Sequence, residues 1–390
     1  MKCPMFLHSR CSPGAYLAIV MSIVLIHLSS PRHVEAQQVT YSLHPLAPVV
    51  WNGALCETFG KGMNEAVGNM RMVAGYARSD SAELLPVVWM VDDTGASDAS
   101  LLAYPSSLFS GSVAVSINDV GQIVGGGIID PITGTAVGLY WADALAMPVV
   151  FPSLAGETVG EVQHIDESGV VVGISKSVSG SKAVAWRVMP DDSIVGPLVL
   201  PTRSRATSGD DAAFGIRSVS PSSIEIVGRS AGAPVAWKVN LSNTGLMLSG
   251  GAEVLDSTGE ATSVNVAGSI CGKARDRVVI WGPFIGRKRN KSLLSYDTAV
   301  FGTAGRSSAI NDLGMVIGDA NVKVAYPAQR AVLWTSASAP MRTLESFTNG
   351  IYPFAYLEAA NTINNAGDIA GYGWQGYEAG YQAFIAIPNK

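Results

Sequence analysis

The stretch Ser116-Ile117-Asn118-Asp119-Val120-Gly121-Gln122-Ile123-Val124-Gly125 decides how the chain is read. It returns as Ala309-Ile310-Asn311-Asp312-Leu313-Gly314-Met315-Val316-Ile317-Gly318 and as Thr362-Ile363-Asn364-Asn365-Ala366-Gly367-Asp368-Ile369-Ala370-Gly371. Weaker copies end at Gly75, Gly173, Gly228 and Gly272, which makes seven. Asn118-Asp119-Val120-Gly121 has the composition of a type I turn closed by a left-handed glycine, the chemistry of a hairpin with a bulged glycine. The strand after the turn carries Val73, Ile123, Val171, Ile226, Ile270, Val316 or Ile369, followed by Ala74, Val124, Val172, Val227, Cys271, Ile317 or Ala370. Adjacent residues of a strand face opposite ways, so this strand is expected to be buried on both faces.

Working outward, the repeats lie between a leader and a short tail. Lys2 and Arg10 precede an uncharged, mostly apolar stretch, Ala15 to Leu28, and Val34-Glu35-Ala36 has the small-x-small form of a cleavage site. Residues 1–36 read as a secretory signal peptide, too short in its apolar part for a comfortable membrane span. The mature chain, 37–390, is expected to be one exported seven-repeat domain, extracellular or periplasmic, with no membrane insertion after leader removal. It holds 23 basic and 30 acidic residues, a net charge of −7, which argues against general affinity for nucleic acid or anionic membranes. Cys56 and Cys271 are the cysteines left. Cys271 takes an apolar strand position, so a buried thiol is expected there, and sequence alone leaves their pairing open.

The terminal glycines are spaced 50, 48, 55, 44, 46 and 53 residues apart, within the range of propeller blades. After each glycine comes an apolar run that ends in Trp89, Trp141, Trp186, Trp237, Trp281 or Trp334; the seventh, Gln382-Ala383-Phe384-Ile385-Ala386, has none. A less regular fourth strand follows, as at Pro148-Val149-Val150-Phe151. These units predict an all-β fold, a seven-bladed β-propeller, with a β-solenoid as the alternative. The last unit stops short of a fourth strand, and Val39-Thr40-Tyr41-Ser42-Leu43 can supply it, closing the ring and covering a sheet edge.

The Ile-Asn-Asp-x-Gly-x-Val-x-Gly phrase with its Trp-ending strand resembles the bacterial extracellular repeat family named HAF, after a His-Ala-Phe triplet. The resemblance covers nearly the whole mature chain and implies an exported repeat protein without an assigned reaction. At the position of the triplet's histidine this chain has residues such as Lys182, Arg330 and Gln382.

Few residues here suggest chemistry. His44 and His164 are the only histidines of the mature chain and lie in different repeats, which argues against zinc and against a histidine-based triad. His164, beside Ile165 on an innermost strand, reads as a hydrogen-bonded packing residue. The Asn-Asp turns offer two adjacent oxygen side chains where calcium takes six to eight ligands, so they read as turn chemistry. No cofactor, metal or catalytic residue is assigned. Arg287-Lys288-Arg289-Asn290-Lys291, after Pro283 and Gly286, reads as a solvated loop between units. Tyr372, Trp374, Tyr377 and Tyr381 crowd one segment with Glu378 among them, and Tyr326 holds the matching segment of the unit before. The segments after each repeat glycine vary in length, 14, 16, 13, 9, 9 and 16 residues to the Trp, which marks their mouth of the ring as the working face. The candidate ligand site is therefore Tyr326, Arg330, Trp374, Tyr377, Glu378 and Tyr381. A monomeric binding or scaffold module for a glycan or an extracellular protein is the expected role, with a carbohydrate-active lyase or hydrolase as the competing one.

Overall fold

The computed structural model describes residues 39–389, apart from 131–134, 178–179, 205–209, 287, 303 and 324–328. The expected leader, 1–36, lies outside the described residues. From Val39 on, the described chain is strand and turn, with one 3-10 segment at Leu344–Phe347. Seven antiparallel sheets of at least four strands follow one another as the blades of a β-propeller, and a two-stranded hairpin lies apart from them. Their inner strands are Glu57–Met63, Gly111–Ile117, Thr158–Ile165, Ala212–Ser220, Gly259–Val264, Arg306–Ile310 and Tyr356–Ile363. Blade 1 continues outward through Met70–Arg78, Leu84–Asp92 and Ser97–Leu101, and blades 2 to 6 repeat that order. The fold is the propeller, not the solenoid.

Blade 7 is built from both ends of the chain. Tyr41–Pro45 pairs antiparallel with Tyr381–Pro388, Leu43 opposite Ala386, as its fourth strand. The pairing segment runs two residues later than the expected 39–43, and Tyr41 is buried in the core. More bonds tie this blade to blade 1. The amide of Ala383 donates to Thr58 Oγ1 at 2.9 Å, and Asn361 Nδ2 donates to the carbonyl of Gly60 at 2.7 Å. The buried Arg71 of blade 1 meets the buried Asp368 of blade 7 at 2.7 Å. Such a pair stabilises little by itself, but removing one partner leaves a charge stranded in the core.

The repeat phrase has a steric reason. Its second strand is buried on both faces: both apolar positions are fully buried in all seven blades, from Val73 and Ala74 to Ile369 and Ala370. The glycine that ends it crosses a kink in the inner strand. A Cβ on Gly318 would stand 1.9 Å from the carbonyl oxygen of Arg306, and one on Gly75, Gly125, Gly173, Gly228, Gly272 or Gly371 would come within 2.2 Å of its own neighbour's. The kink is a bulge, seen as a register shift in every blade, for example between Ser307 and Ala309. The same absence of a side chain admits an aromatic of the third strand: the Trp89 ring would lie 3.0 Å from a Cβ on Gly75, and in blade 7, where Ala386 holds the Trp's register, Phe384 would lie 3.0 Å from one on Gly371.

The tryptophans also latch neighbouring blades. Each is fully buried, and five donate their indole N–H to the carbonyl of the residue that leaves the previous blade: Trp89 to Ala47, Trp141 to Ala103, Trp186 to Pro152, Trp237 to Pro201 and Trp334 to Ser295, at 2.7 to 3.0 Å. Trp281 Nε1 is the exception, buried with no partner among the described residues. Cys271 is buried in blade 5 and Cys56 lies half-buried before blade 1, both free thiols.

The basic run corrects one expectation. Lys288–Leu293 is the outer strand of blade 5, not a loop. Arg289 turns inward, where it pairs with Glu225 and, at 3.2 Å, with Glu253, and its guanidinium stacks on Phe284 at 4.4 Å. Lys291 on the edge pairs with Asp256 at 2.6 Å. Arg287 lies outside the described residues.

Trp237→Ala is expected to cost about 3–5 kcal/mol in denaturant melts, the range for emptying an aromatic core site. Trp237→Phe adds a subtler check: it should cost more than Trp281→Phe by about 1 kcal/mol, because only the former loses a hydrogen bond. Equal costs would remove the latch from the account. Deleting residues 37–46 strips the fourth strand from blade 7 and should give aggregation or a clear drop in melting temperature. A deleted chain that stays monomeric and melts like the parent would show that the closing strand is dispensable.

Candidate functional site

The two mouths of the ring are chemically unlike. On the mouth of the Asn-Asp turns the polar groups are spent on one another. Asn118, Asn265 and Asn311 each donate from Nδ2 to the carbonyl of the next blade's turn, to Asp166, Asn311 and Asn364 at 3.0 to 3.1 Å. Their Oδ1 atoms accept the amides of Gln122, Ser269 and Met315. The following residues form a second course around the ring. Asn365 N–H donates to Glu65 at 2.9 Å, Glu65 N–H to Asp119 at 2.7 Å, and Asp119 N–H to Glu167 at 3.0 Å. Val266 N–H donates to Asp312, and Asp312 N–H to Asn365, both at 2.8 Å. In blade 4 Arg217 replaces the turn contact by donating to the carbonyl of Val266 at 3.0 Å. Burial, helped by the nearby carboxylates of Asp119, Asp166 and Glu65, pushes Glu167 up to about 7. Among the described residues no group of three or more His, Cys, Asp or Glu is placed to hold a metal ion.

The opposite mouth, where inner strands begin and second strands end, carries an aromatic system at the seam of blades 7 and 1. Cross-strand pairing builds both halves. Phe59 sits opposite Tyr76 in blade 1 and stacks on it at 4.8 Å; Trp374 sits opposite Tyr381 in blade 7, edge to face at 4.9 Å. Tyr372 joins them, 5.0 Å from Phe59 and 5.7 Å from Tyr381. Beyond Trp374 the hairpin turns at Gly376, with the Gln375 amide bonded to the Gly380 carbonyl at 2.9 Å. At its tip Tyr377 is 98% exposed and stands perpendicular to Trp374 at 5.9 Å. Glu57 bridges the seam, paired with Arg78 and accepting the Tyr381 amide at 3.3 Å.

Of the residues expected in the site, Trp374, Tyr377 and Tyr381 come together, and Glu378 is exposed on the same hairpin. Arg330 is not on open surface. Its guanidinium stacks at 4.5 Å on Tyr356, a neighbour of Tyr381, and lies 3.5 Å from Glu345. Tyr326 lies outside the described residues. Sequence reasoning missed Phe59, Tyr76, Lys61 and Arg306. A usable signal existed for one of them: Tyr76 and Tyr372 both follow their repeat glycine directly, in the units that ring closure makes neighbours.

Inward of the aromatics the channel holds a cavity of about 510 Å³ lined by all seven inner strands. Lys61 and Arg306 line it, with Glu260, Ser307, Asn361 and His164. The Lys61 ammonium lies over the rings of Tyr372 and Tyr76, at 5.6 and 5.8 Å. Burial and then the Arg306 charge lower its pKa. His164 Nδ1 is 3.1 Å from Ser116 Oγ, and burial pushes the ring down to about 4, so it is neutral at pH 7. That fits a hydrogen-bonded wall residue.

No protein-family model matches the sequence, and no curated protein matches it. Solved structures similar in fold are distant. YCF48 from Cyanidioschyzon merolae gives a TM-score of 0.46 at 9% identity over 89% of this chain and 98% of that one. The β-propeller domain of the Trilobed protease from Pyrococcus furiosus gives 0.43 at 8% over 86% and 96%. The gluconolactonase XC5397 from Xanthomonas campestris gives 0.37 at 12% over 75% and 97%. At that distance none bears on activity.

The carboxylate course on the turn mouth makes a pH prediction. With Glu167 raised from 4.5 to about 7, the folded state holds its proton over that interval and the unfolded chain does not. Stability therefore grows as pH falls through 7 and this contribution is complete below 4.5. The melting-temperature advantage of the parent over Glu167→Gln should be larger at acidic pH than at alkaline pH. An advantage that does not change with pH would contradict the assignment.

Proposed function

We propose that the protein is an exported propeller that binds a glycan on the mouth formed by the seam of blades 7 and 1. One observation carries the reading: a continuous run of aromatic rings leads from the fully exposed Tyr377 through Trp374, Tyr381 and Tyr372 to the channel. A tyrosine that exposed contributes little to the core, and a row of amphipathic rings with a few polar groups is the common lining of small-molecule sites. Arg330 and Glu378 belong to the same proposed site, Arg330 as the clamp behind Tyr356 and Glu378 as a rim acceptor. The HAF-type phrase and the leader support export to the periplasm or the medium.

The competing reading, a lyase or hydrolase, would use a carboxylate or a tyrosine as base. Tyr381 is the best-placed phenol, yet it donates to Glu358 at 2.9 Å, and burial and that carboxylate push its pKa up, the wrong direction for a base. Binding without turnover is favoured on that ground.

A glycan array with the purified mature chain, combined with a reducing-end assay, tests the reading. Capture without new reducing ends is expected. Trp374→Ala and Tyr377→Ala should each weaken capture by about tenfold or more, a loss of about 1.4 kcal/mol, with an unchanged melting temperature. An array without hits, or variants that lose stability in step with binding, would overturn it.

A further inference from the structure

We propose that Lys61 and Arg306 form an anion site at the inner end of the aromatic run, and that the bound glycan carries a carboxylate there, as a uronic acid does. This deepens the glycan reading above and rests on it for the sugar, while the anion site stands on its own observations.

The charges around the cavity do not balance on its blade 1 and blade 6 side. Lys61 projects from the inner strand of blade 1, and among the described residues no carboxylate lies within ion-pair distance of its ammonium. Its neighbours are the faces of Tyr76 and Tyr372. Cation–π contact replaces only part of the hydration an ammonium gives up. The nearby charge is the wrong sign: Arg306 lines the same cavity and acts on Lys61 through space. Arg306 is paired on one side, with Asp319 at 2.6 Å, and its side chain remains 60% exposed, so donors are left for a second acceptor. Glu260, the lining carboxylate, shares Arg229 with Asp210, at 3.3 and 3.1 Å, and acts through space on Arg306, which leaves Lys61 as the cation without a carboxylate at ion-pair distance among the described residues. His164 is neutral and adds no charge. A fixed ammonium beside a half-used guanidinium, in a partly dehydrated pocket, is a complement to one negative charge.

The geometry narrows the anion. The two rings that flank Lys61 belong to the aromatic run, so a charge at Lys61 and rings stacked outward on Tyr372, Trp374 and Tyr377 belong to one extended ligand. A carboxylate seated at Lys61 gives its ammonium the ion-pair partner that the described residues do not supply.

Calorimetry with hexagalacturonate and with the same oligosaccharide after reduction of its carboxyl groups to alcohols is the test. The acidic form should bind at least about tenfold more tightly, and the preference should shrink as salt is raised from about 0.05 to 0.5 M. Lys61→Met should abolish the preference, and Lys61→Arg should keep most of it. In the parent protein, glucuronate should move the Lys61 side-chain NMR signals, a readout that needs no variant to fold. Equal binding of the two oligosaccharides with Lys61 signals unmoved overturns the anion site and leaves the glycan reading standing. Moved Lys61 signals without oligosaccharide binding keep the anion site and overturn the aromatic platform. No response to either ligand overturns both.

Discussion

The structure depends on one close approach, repeated around the ring. In each blade the second strand crosses the bulge of the inner strand so tightly that only a hydrogen fits at the repeat glycine, with a neighbouring carbonyl oxygen 1.9 to 2.2 Å from where a Cβ would stand. Over Gly75, Gly272 and Gly371 the space also takes the edge of a third-strand aromatic ring. In five of the seven units the third-strand indole N–H reaches the chain leaving the previous blade. Turn, glycine and tryptophan are therefore one device: the first sets the hairpin, the second lets it close, and the third joins it to its neighbour.

This is why the fold was legible from residue order. The device is local, so each copy spells it out, and a full-circle array needs its ends to meet, which located the missing strand near Tyr41. The site was legible only where its residues adjoin in sequence, as Trp374, Tyr377 and Tyr381 do. Phe59, Tyr76 and Lys61 reach them across some 300 residues, as the Asn361 to Gly60 bond does, and no local pattern announces that. Arg289 shows the opposite failure. It looks like a free surface cation in sequence, but it is held by Glu225 and Glu253. The acids that receive it lie on other strands, where no local pattern announces them.

The division of labour between the mouths follows from the same geometry. Turns of nearly one length allow side chain to backbone bonds to pass from blade to blade, which uses up the asparagines and acids there. The opposite segments are free of that constraint. There, among the described residues, Tyr377 stays exposed and the Lys61 ammonium meets tyrosine faces instead of a carboxylate, and there the closing of the ring brings the first and last blades side by side.

Paired substitutions of two glycines in blade 6 test the central claim most directly. Gly318 is the crossing glycine, while Gly314 is the left-handed turn residue, with φ +77° and nothing within 4 Å of a Cβ. Denaturant melts of Gly314→Ala should show the cost of the left-handed backbone alone, about 1–2 kcal/mol. Gly318→Ala should cost at least about 3 kcal/mol, since the clash is with backbone that can only move by distorting the blade. A Gly318→Ala protein as stable as the Gly314→Ala protein would contradict the account.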